Sequence, residues 1–135
     1  MISQFFLLYN DHAILVLRLV LGAILIAHGL PKLRNLRGTS RDFEAMGFKP
    51  GVVFGPLAAI LESFGGLAIA VGFATQVAAG LFGVEFLAIT VWKFLRHEPL
   101  IGGIELDIIL LAAALLLLTQ GGGWFSLDTF WRVRF

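Results

Sequence analysis

The sequence predicts an all-α integral membrane protein, a four-helix bundle with a short interfacial helix in its first loop. Composition is the first reason: of 135 residues, 59% are hydrophobic and 14% charged, where a soluble domain carries about a quarter charged residues. Mean hydropathy is +0.92. The second reason is that four apolar stretches, about 13–30, 52–73, 76–94 and 102–119, approach the roughly 20 residues needed to cross a hydrocarbon core about 30 Å thick. They use most of the chain, so a single transmembrane domain over residues 1–135 is expected, with no room for a separate catalytic domain.

The first stretch is expected to stop at Pro31. No basic residue precedes it, Arg18 lies within it and no small-x-small site follows, so it is expected to be retained rather than removed as a secretory signal. In the loop after it, Ser40 is placed to cap a short helix through Met46, with Gly47 as its stop and Phe43 and Met46 on one side. That helix is expected to lie at the membrane interface. The second stretch carries Gly55, Ala59, Ser63, Gly66 and Ala70 as one small-residue stripe, a pattern that lets helices approach closely in lipid. Its link to the third is only Ala74, Thr75 and their neighbours, which predicts an antiparallel hairpin. Gly102 and Gly103 precede the fourth stretch and Gly121 to Gly123 follow it. The tail then brings Trp124, Phe125, Phe130 and Trp131 with Arg132 and Arg134, a composition suited to the headgroup region.

Basic residues set an expected orientation. Loops one and three hold seven, namely Lys32, Arg34, Arg37, Arg41, Lys49, Lys93 and Arg96, against two in the tail, which favours these loops in the cytoplasm and both termini outside. The formal net charge of +1 gives no footprint for nucleic acid. Cysteine is absent, which excludes disulfides, thiol nucleophiles and Cys-ligated metal centres.

Charged side chains within a bilayer are costly, at roughly 2.5–3.5 kcal/mol each on insertion scales, so they turn inward and pair. Arg18, Glu62 and Glu85 lie within the first three stretches, with Glu105 and Asp107 near the start of the fourth. Counted from the loop-one side at about 1.5 Å per residue, Arg18 lies roughly 20 Å deep, Glu62 about 15 Å and Glu85 about 12 Å. Arg18 and Glu62 are therefore expected to be direct partners, as a packing clasp or as part of a site. Should Glu85 join them, one carboxyl is expected to carry a proton. A second constellation, His28, Lys32, Glu105 and Asp107, with Lys93, Arg96 and His97 close by, falls at the end that carries loops one and three. Glu105 and Asp107 sit about 200° apart around a helix, and Glu105 is expected to serve His28 or Lys32. His28 is either a proton-handling group or a hydrogen-bonded structural residue. No HxxxH or HxxE spacing supports a metal, and none is expected.

The series Arg18, His28-Gly29-x-x-Lys32, Phe43 to Gly47-Phe48-x-Pro50, Leu61-Glu62 with Gly65-Gly66, Gly72 and Thr75, Glu105, and Ser126-Leu127-Asp128 resembles the DoxX family of small four-helix membrane proteins. The resemblance implies a multi-pass protein of the prokaryotic cytoplasmic membrane, a cell inner membrane in bacteria with two. It also implies association with redox complexes, oxidative stress and quinone-related chemistry. The family's polar positions fall on Arg18, His28, Lys32, Glu62 and Glu105.

Two functional readings follow. In the first, the protein is a membrane component of a quinone-linked oxidoreductase or oxidative-stress system, with a polar intramembrane pocket. Arg18, His28, Lys32, Glu62 and Glu105 would bind a quinone or small hydrophobic substrate, and His28, Glu62 and Glu105 would exchange protons. No haem, flavin or iron–sulfur motif is legible, so electrons would come from a redox partner protein or a diffusible cofactor. In the second reading the protein is a non-enzymatic scaffold or assembly factor whose basic first loop docks a partner protein or anionic lipid. Solute or proton transport is a poorer fit, because four helices without a broken-helix repeat make a weak transporter.

Overall fold

The computed structural model describes residues 2–131. A short helix, α1 (Ile2–Leu7), precedes the first span, α2 (Asn10–Arg34). Loop one contains α3 (Leu36–Ala45). The second span, α4 (Gly51–Val71), is interrupted by a π-helical turn at Leu61–Gly65. The third is α5 (Thr75–Leu95), and the fourth covers Leu100–Gln120, of which Glu105–Gln120 is regular helix α6. A single-turn helix, α7 (Leu127–Phe130), follows. All four spans are long and apolar enough to cross a bilayer, and no strand occurs among the described residues.

Pro31 does not end the first span. The helix runs one turn further, to Arg34. A proline so near a helix end forfeits a single backbone bond, and a membrane helix tolerates that readily. Ser40 is not the cap of α3 either: the helix starts a turn earlier, where the Asn35 side chain accepts from the Gly38 N–H at 3.0 Å. Ser40 lies mid-helix and returns its hydroxyl to the Leu36 carbonyl at 2.7 Å.

The bundle is built from two tightly packed pairs, α2 with α4 and α5 with α6, and contacts between the pairs are sparse. Small residues explain the first pair. A Cβ on Gly22 would collide with Gly66 and Ala70, and one on Gly29 with Ser63. Gly55 at the head of α4 lies against Thr39 and Ser40 of α3 instead. The stripe therefore serves helix packing, and it sets the register. Gly29 is level with Ser63, so the first turns of α4 project past α2 and are covered by α3. A core of Leu21, Leu25, Ile69, Phe82, Phe86 and Leu117 fills the centre, with Phe82 and Phe86 stacked. Val16, Leu19, Val84, Leu87 and Ile109 face outward, as lipid-facing residues do.

At the loop-two end, α4 stops at Gly72, whose φ of +76° only glycine adopts freely. The Phe73 N–H then bonds the Ala68 carbonyl at 2.8 Å, a Schellman-type ending. The tail from Gly121 folds over this end. The Asp128 carboxylate accepts from the backbone N–H groups of Ala74 and Thr75, capping α5 from 53 residues away. The Trp124 N–H donates to Asp11 at 3.0 Å. The tail is thus a clasp across helix ends. Arg132 and Arg134, expected at the headgroups, lie outside the described residues.

Candidate functional site

The four spans and α3 enclose a cavity of about 610 Å³ at the end that carries loops one and three. It opens in the seam between the two helix pairs, where packing is thinnest. Its polar wall comes from His28 and Lys32 of α2, Glu62 of α4, Lys93 of α5, and Glu105 and Asp107 of α6. Leu25, Phe86, Ile89 and Leu110 make the apolar floor, and Asp42 and Phe43 of α3, with Met46 at its C-terminal end, form a wall on the loop-one side.

Two ion pairs face this space. Lys32 Nζ lies 2.7 Å from Glu62 Oε1 and 5.9 Å from the centre of the Phe43 ring. Lys93 Nζ lies 2.6 Å from Asp107 Oδ2 and donates to the Gly103 carbonyl at 3.2 Å. Each helix pair contributes one of the two. The carboxylates are buried and the lysines partly exposed, so each ammonium keeps donor capacity for a molecule in the cavity. The π-turn bears directly on this geometry. One extra residue in the turn at Leu61–Gly65 places Glu62 at the widened point of α4, and such bulges recur at functional sites.

His28 Nδ1 lies 2.8 Å from the Ile24 carbonyl. A carbonyl only accepts, so Nδ1 carries the hydrogen and Nε2 of the neutral ring is left as an acceptor. Glu105 accepts from the Gly102 N–H at 3.0 Å, tying the start of α6 to the glycine turn before it. Glu105, expected to serve His28 or Lys32, hydrogen-bonds neither among the described residues: Lys32 has Glu62, His28 has the Ile24 carbonyl, and Asp107 holds Lys93.

Arg18 is not part of this cavity, and the expected Arg18–Glu62 pair is not formed. Arg18 is 1% exposed and donates to four backbone carbonyls. Nε reaches Ile69 at 3.1 Å and Nη2 reaches Ala70 at 3.0 Å. Nη1 reaches Gly122 at 2.6 Å and Phe125 at 2.8 Å. These carbonyls belong to the last turn of α4 and to the tail clasp, where the negative end of a helix attracts a cation. The depth count failed because it started both helices at one surface. Arg18 is level with Ile69, seven residues or about 11 Å along α4 from Glu62.

Glu62 meets Glu85 of α5, whose carboxyl is its neighbour. Both Glu85 oxygens and Glu62 Oε2 are buried without a hydrogen-bond partner among the described residues. Lys93, expected close to the constellation of His28 and Lys32, lies on the cavity wall and takes Asp107 as its partner. Asp42 and Phe43 joined the site without a sequence signal.

A small multi-pass bundle with a polar cavity at one end defines the class, an integral protein of the cell membrane. The chain matches DoxX over residues 13–95 and belongs to that family. It is 29% identical to the Bacillus subtilis protein named "Putative oxidoreductase CatD" over 86% of this chain and 84% of that one. It is 35% identical to "Inner membrane protein YqjF" of Escherichia coli, over 87% of this chain and 83% of that one. No solved structure matches.

Proposed function

We propose that this protein is a membrane component of a quinone-linked oxidoreductase or oxidative-stress system, and that the cavity receives the head group of a quinone or a similar small hydrophobic carbonyl compound. The observation that carries the reading is the pair of lysines, one from each helix pair, facing one cavity with an apolar floor. Ammonium groups with spare donors suit carbonyl oxygens. His28 Nε2 suits the other half of the chemistry, since an acceptor can take a hydrogen bond, or a proton, from a hydroxyl. Glu62 is placed to exchange a proton with a bound head group, and Glu105 to hold the mouth of α6 beside it. Arg18 has no contact with the substrate in this reading. The name of the Bacillus subtilis relative supports a redox setting, and electrons would come from a partner protein or a diffusible cofactor.

The test is ligand-dependent stabilisation of the purified protein in detergent. A short-tailed benzoquinone or naphthoquinone analogue should raise the unfolding temperature saturably. Lys32→Met and Lys93→Met, at unchanged helical content, should weaken the half-saturation point about tenfold or more, the scale of one lost charged hydrogen bond. Absence of a saturable shift in the wild type would sink the quinone reading.

A second reading, a scaffold that docks a partner protein, draws on the end of α2 and on α3. Arg34, Arg37 and Arg41 are exposed and make no ion pair with another described residue. Replacing all three by Gln should release a co-purifying partner under this reading and leave quinone-analogue binding unchanged.

A further inference from the structure

The cavity wall does not end the polar path. Glu62 is 2% exposed, and only one of its oxygens is used by Lys32. Its other oxygen, Oε2, is buried and has no hydrogen-bond partner among the described residues, and the same holds for both oxygens of Glu85 on the neighbouring span. The two carboxyls adjoin, and Lys32 is the cation that both of them face. Lys93, the other ammonium on the cavity wall, does not relieve them, because it is held by Asp107 of α6.

Charge arithmetic then decides the state of the cluster. One ammonium with two carboxylates would leave a net negative charge on groups shut away from water. Burying an unpaired carboxylate is far more costly than burying a carboxylic acid, which needs only hydrogen-bond partners. A single proton removes the excess charge and also supplies the missing donor, since an un-ionised carboxyl is the one form that can donate to its neighbour.

We propose that Glu62 and Glu85 form an acid–carboxylate pair that holds one proton behind the cavity, with Glu62 as the member through which that proton is exchanged. The proton first moves within the pair, the O–H bond of Glu85 breaking as one forms on Glu62 Oε2, and the Glu62 O–H bond then breaks as a bond to hydrogen forms on an acceptor oxygen of the molecule in the cavity. The pair is then left with two negative charges against Lys32 until a proton returns from the cavity by the reverse path. Glu85 itself is a proton store and touches no substrate. The pair stands apart from the identity of the ligand, because it exists in the protein alone.

Infrared spectroscopy in a detergent without carbonyl groups reads the pair directly, with no quinone or partner present. At neutral pH the wild type should show the C=O stretch of an un-ionised carboxylic acid, and transfer to D2O should shift it promptly through the cavity. Glu85→Gln should abolish the band while circular dichroism shows the helices intact. Glu62→Gln should weaken it too, because Lys32 then faces a single carboxyl and the excess negative charge that held the proton is gone. Lys32→Met should enlarge it, because two carboxyls without a cation both take protons. A folded wild type with no such band, or a band untouched in Glu85→Gln, would overturn the proposal. A band that resists D2O for hours would overturn the route through Glu62. Failure of quinone analogues to bind would leave all of these results in place.

Discussion

Arg18 and Lys32 lie on one helix and use their charge differently. The guanidinium is a planar fork that satisfies four carbonyls at once, at the end of α4 and in the tail, and a point-charge ammonium cannot copy that geometry. Arg18→Leu should cost at least about 3 kcal/mol, since several buried carbonyls lose a charged donor, and Arg18→Lys should recover only part of it. Unfolding in detergent, followed by circular dichroism, checks both. Because Arg18 and Glu62 do not touch, the losses from Arg18→Leu and Glu62→Leu should add to within about 0.5 kcal/mol. A large coupling in that double-mutant cycle would contradict the separation of the two sites. Asp128 acts at the same end through its two backbone acceptor contacts, and Asp128→Ala should cost about 1 kcal/mol, the ordinary scale of a lost helix cap.

Among the elements, the glycine contacts between α2 and α4 decide where the site residues stand. Gly29 has no space for a methyl group against Ser63 and the backbone beside Glu62. Gly29→Ala should therefore destabilise by about 1–3 kcal/mol and shift the π-turn that carries Glu62. Its signature is loss of the infrared acid band or of quinone-analogue binding out of proportion to the stability change. Gly80, by contrast, meets only the end of the Leu118 side chain, at 3.5 Å. Gly80→Ala is expected to fold as the wild type does, within about 0.5 kcal/mol. The comparison separates a positional effect of glycine from a general one.

At the scale of the whole molecule, the two ends of the bundle have different tasks. The loop-two end is closed by the tail clasp and by Arg18. The loop-one end is open around the cavity and is walled by α3. On the basic-residue count, both termini should lie outside the cell, and reporter fusions after Phe135 should read that location. A cytoplasmic reading would assign the basic residues of loop one to a site or a partner surface instead of to topology. Function should follow the open end. Under the proposed function, His28→Gln and Glu105→Gln should leave the protein folded and membrane-inserted while abolishing any quinone-linked activity measured in cells. Gln keeps a hydrogen bond but carries no proton at neutral pH. Wild-type activity in both variants would remove proton handling from His28 and Glu105.

The sequence by itself determined the class of this protein. Hydropathy over four stretches of membrane length, few charges and a small-residue stripe leave an all-α membrane bundle as the arrangement that satisfies the backbone in lipid. It also marked which residues carry the unusual cost of charge in a bilayer, and Lys32, Glu62, His28 and Glu105 do gather at one end. Only the tertiary structure decided who partners whom. Pairing depends on the axial offset between helices, and that offset is set by glycine contacts such as Gly29 on Ser63 and by how far each helix runs past its expected end. An offset of two helical turns took Arg18 from Glu62 to the carbonyls of α4 and the tail. Rotation about each helix axis gave Lys32 to Glu62, Lys93 to Asp107 and Glu85 to the far side of Glu62. Hydropathy is a sum over a segment and is indifferent to both quantities, whereas a hydrogen bond is lost over about an ångström of misplacement.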